Sequence, residues 1–202
     1  MIIGCCIGII KHPIIKKNAV KLVYVGDFVK NKNIHMVVKA VEYLNKVGVN
    51  VLFTAIGKKD NTMKGYQKYL FREEAKWAFF KTMERLDKIS LINFYKTCDI
   101  FIMPSLTETF GLVYVEALSQ GLPIIYTKDQ GIDGFYEEGY VGFHVDPHDI
   151  DDIAKKIIMI INNYDTLTDN IRNLLLDTFD WNNIAKRYID CYTSIFHNTF
   201  LE

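Results

Sequence analysis

Glu108 and Glu116 lie in the stretch PSLTETFGLVYVEALSQGLPI, residues 104–124, where almost every neighbour is of a core-forming type. A carboxylate in such company costs free energy unless water or a partner meets it. If a helix begins near Gly111, Glu108 stands at its mouth and Glu116 about two turns along. At ~1.5 Å per residue the offset spans at most ~12 Å, too far for the two to share one proton or one metal ion. It suits two carboxylates gripping different parts of one extended ligand. Gly111, between them, has no side chain, so a ligand could reach the helix N-terminal N–H groups, which favour anions. An anion flanked by two acceptors of hydroxyl hydrogen bonds describes a sugar–diphosphate–ribose. The alternative is a Glu116 that faces water. Val113, Val115 and Leu118 beside it are too apolar for a comfortable surface, which weakens that alternative without removing it.

Positive charge appears in other loops. After the apolar run Leu22–Val25 come Gly26, Asp27, Lys30 and Lys32, a permissive glycine followed by ammonium groups ahead of a helix. After Val51–Ile56 come Gly57, Lys58 and Lys59, and after Tyr126 comes TKDQGIDG. Taken singly, each also reads as a solvated turn. There is no Walker sequence, no GxGxxG fingerprint and no G-x-S-x-G elbow. The five histidines are scattered without ligand spacing. Cys5, Cys6, Cys98 and Cys191 form no CxxC pair and read as reduced, buried thiols.

The elements that would position these groups alternate. Strands are expected at Leu22–Val25, Val51–Ile56, Trp77–Phe80, Ile100–Met103, Ile124–Tyr126 and Gly142–Val145, mostly continuous apolar blocks of the kind covered on both faces. Helices are expected over Asn33–Val47, Met63–Lys76, Leu91–Cys98 with Ser90 as its cap, and Gly111–Gln120. Asp149–Asn163, Leu167–Phe179 and Trp181–Phe196 then follow as three helices with no strand between them. This pattern implies an α/β fold: a doubly wound, mostly parallel, Rossmann-like sheet with helices on both faces and a helical C-terminal cap over 149–202. One domain over 1–202 is expected, with Trp181 as a packing anchor. Ligands of such sheets bind beyond the carboxyl ends of the strands, which is where the glutamates and lysines fall.

Composition narrows the class. The 202 residues are 50% hydrophobic, and 24 basic side chains balance 24 acidic ones. That describes a packed globular chain and offers no bulk argument for nucleic acid. MIIGCCIGII lacks a basic flank and is too short to span a bilayer, so it reads as a strand or the entry to one. A cytoplasmic location is expected, in keeping with reduced thiols.

Three segments together resemble the C-terminal, nucleotide-sugar-binding domain of retaining glycosyltransferases of the GT-B fold, GT4-type, whose hallmark is E-x7-E. They are LVYVGDFVKNKNIHMVVKAVEYL, CDIFIMPSLTETFGLVYVEALSQGLPII and GFHVDPHDIDDIAKKI, and they cover the chain from about Leu22. The resemblance implies that Glu108 binds donor-sugar hydroxyls and Glu116 the ribose. It implies that Thr109 and the N–H groups near Phe110, Gly111 and Leu112 hold the diphosphate with Lys32. Gly26 matches the glycine of the first loop, while Lys30 and Gly57 lie at the same edge. No cofactor is implied, nor a metal, since the family meets that charge with basic residues and helix dipoles, and any membrane association would be peripheral, through the acceptor. The donor would be a UDP-, GDP- or ADP-linked sugar. An N-terminal acceptor-binding domain, in cis or as a separate chain, would complete the enzyme, with residues 1–21 as connection and first-strand region. An exposed apolar face is expected where that domain docks. One departure stands out: the family usually has arginine after the glycine, and this sequence has Asp27. A non-catalytic nucleotide-sugar-binding or partner subunit is therefore the alternative. A dehydrogenase or ATP-binding domain is disfavoured by the missing glycine fingerprint.

Overall fold

The computed structural model describes residues 19–59, 65–174, 179 and 181–199, with the side chains of the final helix described to residue 195. The expected N-terminal connection, Cys5 and Cys6 lie outside the described residues.

Six parallel strands form one sheet in the order β3-β2-β1-β4-β5-β6. They are β1 (Val20–Val25), β2 (Val51–Gly57), β3 (Phe80–Glu84), β4 (Ile100–Ile102), β5 (Ile124–Thr127) and β6 (Gly142–Val145). The helices are α1 (Ile34–Lys46), α2 (Gly65–Lys76), α3 (Lys88–Tyr95), α4 (Leu112–Ser119), α5 (Ile150–Asn162), α6 (Tyr164–Arg172) and α7 (Trp181–Thr199). The doubly wound reading holds. β4 and β5 are buried along their whole length, as their unbroken apolar runs require. The strand order reverses between β1 and β4, so the loops leaving those two strands lie side by side. That topology decides where a ligand can sit.

The helix that follows β1 is fastened through one stripe. Val37, Val38, Val41 and Leu44 of α1 are fully buried. Their 3–4-residue spacing puts them on the face turned to the core. Truncating Leu44 to alanine would cost about 2–5 kcal/mol.

Five expectations need correcting. The strand expected at Trp77–Phe80 is β3 at Phe80–Glu84. Trp77 instead closes α2, its indole N–H donating to Glu73 at 3.2 Å, and its ring stacks on Phe79. β3 is an edge strand whose exposed positions are polar, so its apolar signal is thin. Helix α3 begins three residues before Leu91, because Asp87, and not Ser90, caps it by accepting from Ile89 N–H and Ser90 N–H. Helix α6 begins at Tyr164 and ends at Arg172, displaced from the expected Leu167–Phe179. Trp181 is 47% exposed and anchors no core, and Cys191 is exposed while Cys98 is buried. Helix α7 as a whole turns Tyr188, Ile189, Tyr192 and Ile195 outward.

Candidate functional site

The loop after β1 is shaped by two glycines. A Cβ on Gly57 would stand 2.1 Å from the Gly26 carbonyl oxygen, so only glycine at the end of β2 lets the two strand ends close up. Tyr24 donates its hydroxyl to the Asp27 carbonyl at 2.8 Å and fixes the turn. Burial pushes that hydroxyl's pKa well up, which keeps it a neutral donor. The chain then makes a 3-10 turn, Lys30–Lys32, and Asn33 in the left-handed conformation starts α1.

This turn is clamped to the loop after β4. Leu106 N–H donates to the Asn31 carbonyl at 2.8 Å, and the Asn31 amide donates to the Thr107 carbonyl at 2.9 Å. Beside the clamp, Lys32 Nζ meets Glu108 Oε2 at 2.6 Å, with the lysine side chain 23% and the glutamate 10% exposed. Two residues 76 apart in sequence thus form one charge-assisted contact at the switch point of the sheet. The second Glu108 oxygen accepts from Thr109 N–H at 3.1 Å.

The β4 loop is held from below as well. Tyr114 donates to the Met103 carbonyl at 2.6 Å, and Thr127 donates to the Ser105 carbonyl at the same distance. Gly111 is left-handed (φ 78°), and a Cβ there would lie 2.5 Å from the Tyr114 ring. Gly111 is also the N-cap of α4, which no side chain caps. Tyr114 N–H bonds back to the Gly111 carbonyl at 2.9 Å, so the N–H groups of Leu112 and Val113 are the ones left without a partner in the helix.

Glu116 sits about one turn into α4, on a half-buried face of that helix. Burial raises its pKa above the usual carboxylate value, and the Lys88 ammonium at the start of α3 pulls it partly back. It shares this environment with the buried hydroxyl of Tyr95, whose pKa burial and, next, the Glu116 charge push up.

The structure thus brings Lys32, Glu108, Thr109, Phe110, Gly111 and Leu112 to the edge where β1 and β4 end. Lys30 is exposed on the same turn, and Asp27 is exposed just before it. Lys58 is exposed, whereas Lys59 donates to the Thr82 carbonyl at 3.0 Å on the β3 side. Among the described residues no group of three or more His, Cys, Asp or Glu could hold a metal ion.

Three participants escaped the sequence reading. Asn31 forms the clamp just described. Gln130 Oε1 accepts from Glu108 N–H at 3.2 Å, and Gly131 N–H donates to the Glu108 carbonyl at 3.1 Å. The strand order, which sets the β1 and β5 loops on either side of the β4 loop, is the signal that could have pointed to them. Phe110 also packs edge-on to Phe135 and against Phe179, so its ring belongs to a small aromatic cluster beside the site.

A lysine beside an uncapped helix N-terminus at the switch point of a parallel doubly wound sheet is an arrangement that favours anions. The chain belongs to the family Glycosyl transferases group 1, whose model matches residues 9–174. The capsular polysaccharide biosynthesis glycosyltransferase CapM of Staphylococcus aureus is 28% identical over 200 residues, which cover 95% of this chain and 49% of CapM. The Anabaena protein Alr3699/HepE, solved in complex with UDP and glucose, superposes with a TM-score of 0.75 at 21% identity, covering 88% of this chain and 49% of that one. The C-terminal domain of a glycosyl transferase group 1 family protein (LpcC) from Francisella tularensis superposes with a TM-score of 0.69 at 20% identity. That match covers 80% of this chain and 87% of the LpcC chain. The chain spans about half the length of the first curated relatives it matches.

Proposed function

We propose that this chain is the donor-binding half of a retaining, GT4-type glycosyltransferase, holding a nucleotide-diphosphate sugar for transfer to an acceptor hydroxyl. The observation that carries the reading is the Lys32–Glu108 contact at the switch point, beside the uncapped N-terminus of α4. In this reading the diphosphate lies against the first N–H groups of α4 and draws the Lys32 ammonium to itself. Those dipoles and that charge stabilise the leaving nucleotide as the glycosidic bond breaks. Glu108, released from Lys32, accepts hydrogen bonds from sugar hydroxyls, and Glu116 accepts from the ribose. Glu108 and Glu116 are then the two ends of the E-x7-E motif. No protein base is assigned, and no metal is required where ammonium and helix dipole supply the positive charge.

Two features support a missing acceptor half. The chain matches about half of its relatives and most of a solved C-terminal domain. Tyr188, Ile189, Tyr192 and Ile195 recur at helical spacing along α7 and are all exposed, an apolar stripe of the kind a partner surface covers.

Saturation-transfer NMR with UDP-glucose, or the GDP or ADP counterpart, tests the site. Ribose and hexose protons should both receive saturation, and Glu108→Ala should lose the hexose signals while keeping the ribose. Ribose signals without hexose ones in the wild-type chain would sink the donor assignment. Asp27 favours a second reading, a partner subunit that binds the nucleotide sugar without catalysis. Transfer on adding an acceptor-binding half would remove that reading.

A further inference from the structure

The backbone of Glu108 is suspended between two loops that do different things. On the β1 side, Asn31 holds Leu106 and Thr107 and is the immediate neighbour of Lys32. Any change there moves the lysine as well. On the β5 side, Gln130 and Gly131 hold Glu108 alone, one bond to its N–H and one to its carbonyl. The two bonds reproduce a single rung of a sheet ladder, so they fix the peptide on both sides of the Glu108 Cα. Gly131 is left-handed (φ 58°), and a Cβ on it would come within 2.9 Å of the Phe110 carbonyl and 3.0 Å of Glu108 Cγ. Only a glycine lets the β5 loop press this close. Gln130 has the reach that its place in the loop demands, and its oxygen must face the amide because a main-chain N–H can only donate.

We propose that Gln130 is a positioning residue that aims the Glu108 carboxylate at the donor sugar, acting on sugar recognition and not on the diphosphate. This inference rests on the donor-site reading. Its physical content is that the carboxylate can leave Lys32 for a hydroxyl only if its own backbone stays fixed. A loose Glu108 pays ordering entropy on binding that a braced one has already met.

The experiment is calorimetric titration of the full chain with UDP and with UDP-glucose, or with the GDP or ADP pair if the wild-type chain selects that base. The variants are Gln130→Met, similar in size without an acceptor, and Gln130→Glu, which keeps one. Gln130→Met is expected to leave the nucleotide Kd within twofold and to raise the nucleotide-sugar Kd about fivefold, the factor one net hydrogen bond corresponds to. Gln130→Glu should bring the ratio of the two constants back toward the wild-type value. An unchanged ratio in Gln130→Met, or equal losses for both ligands, overturns the proposal. A wild-type chain that binds nucleotide but shows no contact with the sugar overturns the donor reading itself, and this inference with it.

Discussion

Replacing Glu108 by glutamine removes one charge of the Lys32–Glu108 pair and nearly preserves the shape of the side chain. The contact is short, 2.6 Å, and the glutamate is only 10% exposed, so it is stronger than a fully solvated pair. Solvated pairs are worth about 0–1 kcal/mol and charge-assisted bonds about 1.5–3 kcal/mol. With a quarter of the lysine side chain in water, an intermediate value of about 1 kcal/mol is appropriate. A nucleoside diphosphate that needs Lys32 must first overcome that attraction. Glu108→Gln should therefore bind UDP, or whichever diphosphate the wild type selects, about fivefold more tightly. The same variant should lose affinity for the corresponding nucleotide sugar relative to the diphosphate. Calorimetry at two salt concentrations is the assay, because the gain should shrink as salt screens the phosphate–lysine attraction. Unchanged or weaker diphosphate binding would show that Lys32 and Glu108 are a structural pair and not a donor site at rest.

Three other expectations follow from neighbouring residues. Glu116 carries a raised pKa from burial, so the folded chain holds its proton to higher pH than the unfolded chain does. Its stabilising contribution is present in acid and is lost as pH rises through that raised value. Glu116→Gln should thus raise Tm at neutral pH, with the advantage vanishing below the ordinary glutamate pKa, while nucleotide affinity falls; an unchanged neutral-pH Tm would contradict this. Gly57→Ala would drive a methyl into the Gly26 carbonyl at 2.1 Å. About 2–3 kcal/mol of overpacking should lower Tm by roughly 5–10 °C in a thermal melt. Asp27→Arg exchanges a repulsive for an attractive charge on an exposed position of the same loop, and should tighten diphosphate binding about tenfold by titration. No gain would place Asp27 away from the phosphates.

How much of this was legible in the sequence depended on whether the signal was local. The strands β4 and β5 announce themselves as apolar runs because both faces are covered, and β1 and β2 as nearly apolar ones, with Lys21 and Leu52 exposed near their starts. β3 did not, since an edge strand reading Phe-Lys-Thr-Met-Glu buries only alternate positions. Trp181 looked like an anchor because tryptophan usually is buried, yet α7 turns it outward. Glu108 and Glu116 stood out as charges among apolar neighbours, and Lys32 through the family resemblance. Their neighbours across the loops were another matter. Nothing in the residues around Gln130 says that its amide reaches Glu108, 22 positions earlier, because that contact exists only once the strand order is known. The same holds for the direct pairing of Lys32 with Glu108, which sequence reasoning had assigned to separate parts of the ligand.

The most direct test of the donor site is calorimetric titration of the chain with UDP, GDP and ADP, repeated on Glu116→Ala. One of the three should bind, and the variant should bind it about 1–3 kcal/mol more weakly, as expected for losing a carboxylate that holds the ribose. Binding that Glu116→Ala leaves untouched, or no binding to any of the three, would contradict a nucleotide seated along α4 in this chain.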